Sequence, residues 1–323
     1  MDNYKGILYA ILSSLAYAIM PIFTKVAYDS GSNSTSALIF RFLIAGVVLL
    51  IYLKIKKINL KISFKQFFIL FIMGALGYTI TTETLFLSYN YLDVGLATTL
   101  HYIYPAIVCL LSFVFFKEKV GYKKIISLIL SILGVYCLIA FEDKSLNTVG
   151  IILALFSGLC YGINVVTLSL KELKDIDHTV LTMYVCFGAT LGLIIYGAST
   201  NSIILKFNFE IIYSYLGLSI ISTIFSMILL LKAIELIGST SASILGTFEA
   251  IMSIFLGVIF LDEKLNFALI LGSTLIVIST IILAKDKNNT KHNSTIINKF
   301  NITGKKNSST LPIFLLFFSN LSD

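Results

Sequence analysis

The sequence predicts an all-α integral membrane fold of ten transmembrane helices, arranged as two inverted five-helix repeats. Composition is the first reason. The chain of 323 residues is 57% hydrophobic and 13% charged, with a mean hydropathy of +0.94, which leaves too little polar surface to cover a water-soluble globule. The second is an internal duplication. VGLATTLHYIYPAIVCLLSFVFFKEK at Val94–Lys119 returns imperfectly as TSASILGTFEAIMSIFLGVIFLDEK at Thr240–Lys264, and Asn3–Ile19 matches Asn147–Ile163 at eight of seventeen positions. The halves therefore derive from one unit, with a first repeat at 1–142, a second at 147–285 and a polar tail at 286–323 read as disordered. The third is parity: five helices per repeat is odd, so the second half enters the membrane from the side opposite the first.

Apolar segments near 6–28, 36–54, 66–90, 94–116, 123–141, 148–170, 179–199, 211–235, 239–261 and 266–284 are each of a length that crosses a hydrocarbon core of about 30 Å. Helix one follows only Lys5; it is too long for a signal peptide, lacks a cleavage site and is repeated internally, so it is read as retained. Helix two carries Arg41 and ends in a lysine cluster. Helix three carries Glu83. Helix four holds Pro105 and closes on Glu118-Lys119, and helix five follows Lys123-Lys124 and holds Gly134. Helices six to ten repeat this order, with Glu249 in helix nine, Glu263-Lys264 at its end and Gly272 in helix ten. With the N-terminus cytoplasmic, 19 of the 24 Lys and Arg residues fall on the inner side, which places both termini in the cytoplasm. The net charge of +7 lies in short clusters between spans, a topology signal and not a nucleic-acid surface. Cys109, Cys137, Cys160 and Cys186 sit inside spans without C-x-x-C spacing and read as packing residues.

Glu83 is the sharpest feature. A carboxylate at mid-helix costs about 2.5–3.5 kcal/mol on insertion scales, and Thr79, Glu83, Phe86 and Asn90 share one helical face. It is either a proton-carrying or cation-binding group, or a structural acid paired with Lys25 or Arg41. Arg41 would clamp a carboxylate with two parallel hydrogen bonds and Lys25 would act as a point charge, unless both snorkel to the outer interface. On helix four, Thr98, His101, Pro105, Cys109 and Ser112 form a stripe; Pro105 frees the carbonyl of His101, and His101 is either a titrating group or a satisfied interfacial one. Glu249 lies beside a small-residue face of helix nine, Ser243, Gly246, Ala250, Ser253 and Gly257, which reads as a packing seam, and is a second candidate acid. Ser219, Ser222, Thr223 and Ser226 line one face of helix eight as a hydrogen-bonding wall or as packing. Tyr17 and Tyr161 match across the repeat, with Asn164 three residues on; they either stack a substrate's apolar part or pack the core. Lys232 and Glu235 are spaced for a local pair.

These residues resemble the EamA-type members of the drug/metabolite transporter superfamily. Tyr17-Ala18 stands where a Trp-Gly pair is usual, Lys25 follows eight residues on, Phe40-Arg41-Phe42 opens helix two, and Glu118 and Glu263 with Gly134 and Gly272 mark the ends of helices four and nine and the helices that follow. The likeness spans Met1 to about Lys285 and implies a ten-helix inner-membrane carrier of small metabolites, amino acids among its substrate classes. Two departures stand out: the chain has no Trp, and Ala250 follows Glu249 where the family often has Pro, so only the first half keeps the kink residue, Pro105.

The functional expectation is a secondary transporter of small metabolites, amino acids or related compounds with export favoured, working by alternating access between lipid-embedded halves. Proton coupling through Glu83 or Glu249 is a further expectation. The partners expected are a small-molecule substrate and the bilayer, with no nucleic acid; no cofactor and no metal are expected, and oligomeric state is left open. No Walker-type loop supports an ATP-driven pump. The rivals are an intramembrane enzyme, for which neither H-E-x-x-H nor a paired-aspartate set is found, and a membrane sensor, which would normally carry a soluble signalling domain.

Overall fold

The computed structural model describes residues 2–92, 94–116, 121–140, 147–246, 248–260 and 267–284. Glu118, Lys119, Glu263, Lys264 and the tail after Ala284 lie outside the described residues. Among those described there are helices and no strands. α1 (Asp2–Ala18) runs into α2 (Met20–Asp29); α3 spans Ser34–Ile55; α4 (Phe64–Ile72) passes through a π turn at Met73–Tyr78 into α5 (Thr79–Ser88); α6 (Val94–His101), α7 (Tyr104–Phe116) and α8 (Tyr122–Ala140) follow. The second half repeats the order as α9 (Thr148–Thr167), α10 (His178–Ser199), α11 (Phe209–Ser219), a π turn at Ile220–Phe225, α12 (Ser226–Ile237), α13 (Ser239–Gly246), α14 (Phe248–Phe260) and α15 (Phe267–Ala284). Among the described residues, six stretches are long and apolar enough to cross a bilayer: Asn3–Asp29, Ser34–Ile55, Phe64–Ser88, Thr148–Thr167, His178–Ser199 and Phe209–Ile237.

Burial is inverted relative to a soluble bundle. α3 buries Ser34, Thr35, Ser36 and Arg41 and exposes Val47, Val48, Ile51 and Ile55, as expected when the solvent is hydrocarbon and polar groups must be met inside. Asn33 and Asn208 cap α3 and α11 through the backbone N–H groups of Ser36 and Ile211, satisfying donors that the helix leaves open. Gly238, at φ +80°, lets α12 turn straight into α13.

The halves exchange partners. α1 packs on α12, α13 and α14, while α9 packs on α5, α6 and α7; α3 pairs with its counterpart α10, and α8 with α15. The first helix of each half is thus held by the third and fourth spans of the other. Four irregular points differ from the expected straight spans. Pro21, at the start of α2, removes a donor and crowds the preceding turn, which breaks helix one at Ile19. Pro105 separates α6 from α7, and the carbonyl of His101 packs against Gly158 of α9, where any side chain would collide with it. The two π turns are matched across the halves. Aligning them sets Glu83 opposite Leu230, so this acid belongs to one half only.

Candidate functional site

Two of the irregular points, the start of α2 and the second π turn, meet at Arg41. Its side chain is 3% exposed, which corrects the expectation of snorkelling. Nε donates to Thr223 Oγ1 at 2.6 Å, Nη2 to the Ser222 carbonyl at 3.2 Å, and Nη1 to Met20 Sδ at 2.9 Å. Thr223 itself donates to the Leu218 carbonyl five residues back, a carbonyl released by the wider π winding. Ser222 and Thr223 are therefore the hydrogen-bonding wall of helix eight. Arg41 ties α3 of one half to the π turn of the other, and only three of its five N–H groups are engaged in these bonds.

A cluster of aromatic residues forms at the Pro105 break. Tyr104 meets Tyr161 edge-on at 4.8 Å, Tyr102 lies 5.8 Å from Tyr104, and His101 lies 5.2 Å from Tyr161. His101 is buried, with Nδ1 2.7 Å from Ser157 Oγ; it belongs to the interior and not to an interface. Tyr17 is half-buried beside Tyr161 and Ser226. Glu249, half-buried in the first turn of α14, has the Tyr102 phenol beside it and feels the positive charge of Arg41. The hydroxyls of Tyr78 and Tyr102 are buried without a hydrogen bond, at a cost that a polar ligand would offset. Asn164 donates to Thr81 Oγ1 at 3.2 Å and so joins α9 to α5. Tyr78 and Tyr102 were missed in the sequence, although the Tyr-Ile-Tyr-Pro run was a signal: a kink at Pro105 turns both of its tyrosines inward.

Two expected members lie elsewhere. Lys25 is exposed on α2. Glu83 is 4% exposed and takes hydrogen bonds on Oε1 from Ser34 Oγ at 2.8 Å and Thr35 Oγ1 at 2.9 Å, while Oε2 has no partner. Neither Lys25 nor Arg41 reaches it, so the expected ion pair is replaced by hydroxyl donors. Of the small-residue face of helix nine, the Ser243 carbonyl accepts from Tyr104 Oη, Gly246 lies against the same phenol, and Ser253 donates to the Ala18 carbonyl at 3.5 Å. Glu235 faces His178 at 3.5 Å and Lys232 lies over the Tyr9 ring, in place of the expected local pair between them.

Polar contacts pin the halves at both ends of the bundle. At the α2–α3 end, Asn33 Nδ2 donates to the Ser202 carbonyl at 2.6 Å and Ser202 Oγ to Thr35 Oγ1 at 3.2 Å. At the other, Lys65 Nζ meets Glu172 Oε1 at 2.9 Å, Gln66 donates to the Glu172 carbonyl, and Tyr184 to that of Leu60. Partial burial raises the Glu172 carboxyl pKa, but the Lys65 hydrogen bond, a backbone N–H and nearby lysine charge outweigh it and hold it below the ordinary 4.5.

The profile of the EamA-like transporter family matches residues 4–140 and again 148–285. A protein of Archaeoglobus fulgidus named as an uncharacterized transporter is 26% identical over 82% of this chain and 94% of its own length. The uncharacterized transporter YoaV of Bacillus subtilis is 26% identical over 79% of this chain and 89% of its own. One crystal structure shares the fold at a TM-score of 0.70, with 13% identity, over 86% of this chain and 95% of that one.

Proposed function

The chain belongs to the EamA-like transporter family, a multi-span membrane transporter by that membership, and on this premise we propose that it is a secondary carrier of small amino-acid-like metabolites working by alternating access. In this reading ten helices form two inverted five-helix repeats, residues 1–142 and 147–285, with both termini cytoplasmic in an inner membrane. The observation that carries the proposal is the buried Arg41 guanidinium, bonded across the halves to Thr223 and Ser222, with Glu249 within reach of its charge and the Tyr102, Tyr104 and Tyr161 cluster alongside Glu249.

The chemistry of these two side chains suits a zwitterion. The unused N–H groups of Arg41 take the carboxylate, Glu249 takes the ammonium, and the tyrosine faces take the apolar part. A site between halves that rock against each other is opened to one side at a time. Export is the favoured direction. Proton coupling rests on Glu249, a carboxyl that sits beside the Tyr102 phenol and feels the charge of the Arg41 guanidinium. Such a carboxyl would alternate between proton and substrate as the halves move.

The test is Glu249→Gln in proteoliposomes. Gln keeps the shape and removes the exchangeable proton, so accumulation driven by a pH gradient should vanish. Gradient-driven accumulation at the parent rate would remove Glu249 from the mechanism.

A further inference from the structure

At the α2–α3 end, apart from the Arg41 cluster, lies a cavity of about 390 Å³ lined from both halves by Glu83, Ser34 and Thr35 together with Tyr28, Asn90, Tyr196, Thr200 and Ser202. Among the described residues that line it, Glu83 is the one that carries a charge; Lys206, whose ammonium packs against Gly31, is not in the lining. Burial works against a charge on Glu83, and its hydrogen bonds offset that only in part. Its Oε1 accepts two hydroxyl hydrogen bonds at the first turn of α3, where the helix dipole is positive. Oε2 is buried without a donor, and a buried charge lacking a partner is costly. The missing component is a cationic hydrogen-bond donor.

We propose that this cavity binds a small organic ammonium, with Glu83 taking its charge and the surrounding hydroxyl and amide oxygens its remaining N–H groups. Volume selects the class. The space is many times the roughly 30 Å³ that a water occupies in the liquid and falls within the roughly 300–1,000 Å³ of small-molecule sites, whereas a bare metal ion requires oxygens closing on it from every side. Tyr28 and Tyr196 offer aromatic surface for an alkyl body or a cation over a ring. As a staging site for the amino group of a transported compound, the cavity rests on the transporter reading; as a binding site it does not.

The test uses the full-length protein in lipid nanodiscs and calorimetric titration at pH 7 with butylamine, with 1-butanol, butyrate and sodium chloride as comparison probes. Butylammonium should bind saturably, Glu83→Gln should weaken it about tenfold or more, the order expected for one charged hydrogen bond, and Glu235→Gln, at an exposed acid that faces His178, should leave it in place. Should Glu83→Gln fail to fold, Ser202→Phe fills the cavity from the second half without touching the acid and should block binding equally. Unchanged affinity in both variants overturns the proposal. Equal binding of 1-butanol would mark an apolar pocket, and displacement by sodium at amine-like concentration a metal-ion site; either overturns it. Because binding is read at equilibrium, lost counterflow with intact amine binding counts against the transporter reading alone, and intact counterflow with no amine binding against this site alone.

Discussion

Arg41 shows at the scale of one residue why a buried cation at membrane depth reads as function. Its guanidinium is held by Thr223, Ser222 and Met20 and by no bonded carboxylate, so it retains unused donors of fixed geometry. Arg41→Lys keeps the charge but loses the planar fork; the half-saturation concentration in counterflow should rise by about tenfold or more, the order of one charged hydrogen bond, and an unchanged value would exclude Arg41 from substrate contact. Glu172 supplies a prediction outside the membrane. Because its folded pKa is lowered, the pairing stabilises the fold at pH values above the ordinary 4.5 and is lost as pH falls through the lowered value. Glu172→Gln should lower the melting temperature slightly at pH 7, since an exposed pair is worth under about 1 kcal/mol, and the gap to the parent should close as pH falls below 4.5. Glu83, Arg41, Glu249 and the Tyr17–Tyr161 match were all legible as residues, because charge and repetition stand out in an apolar chain. Their partners were not. One of the two readings of Glu83 paired it with Lys25 or Arg41, whereas its donors are Ser34 and Thr35, short side chains whose role depends on where α3 begins.

Among the elements, the π turns carry the largest departure from expectation. A run such as FIMGALGYTITTETLF is apolar or small on most faces, so its periodicity does not reveal an extra residue in one turn. Breaks at proline are a different matter: Pro105 was read as freeing the His101 carbonyl, and Gly158 receives it. The first π turn also crosses α10 at backbone distance. A Cβ on Gly188 would lie 2.9 Å from the Phe71 carbonyl oxygen and 3.2 Å from Gly74 Cα, and backbone cannot move aside as a side chain can. Gly188→Val should therefore lower the denaturation midpoint in detergent, with an overpacking cost of about 1–3 kcal/mol or more. Gly121→Ala, where nothing lies within 4 Å, should leave it unchanged. Equal behaviour of the two variants would contradict the crossing.

Across the whole molecule, the duplication legible in the sequence becomes an exchange, with α1 and α9 each embraced by the opposite half. Repetition alone could not reveal it, because two copies of a unit can stand side by side as readily as they interlock. The polar pins at the two ends are its mechanical consequence: alternating access requires that one set open while the other holds. Thr35 and Ser202, whose hydroxyls are 3.2 Å apart, are close enough for a disulfide between their cysteine replacements. Oxidising Thr35→Cys/Ser202→Cys should stop transport and reduction should restore it; full transport with the bridge formed would show that this end does not open. The most direct test of the account is counterflow of labelled amino acids into proteoliposomes, parent against Arg41→Lys and Glu249→Gln, with and without a pH gradient. The account predicts saturable, gradient-enhanced accumulation in the parent, weakened affinity in the first variant and loss of gradient dependence in the second. Saturable accumulation that neither variant alters would contradict it.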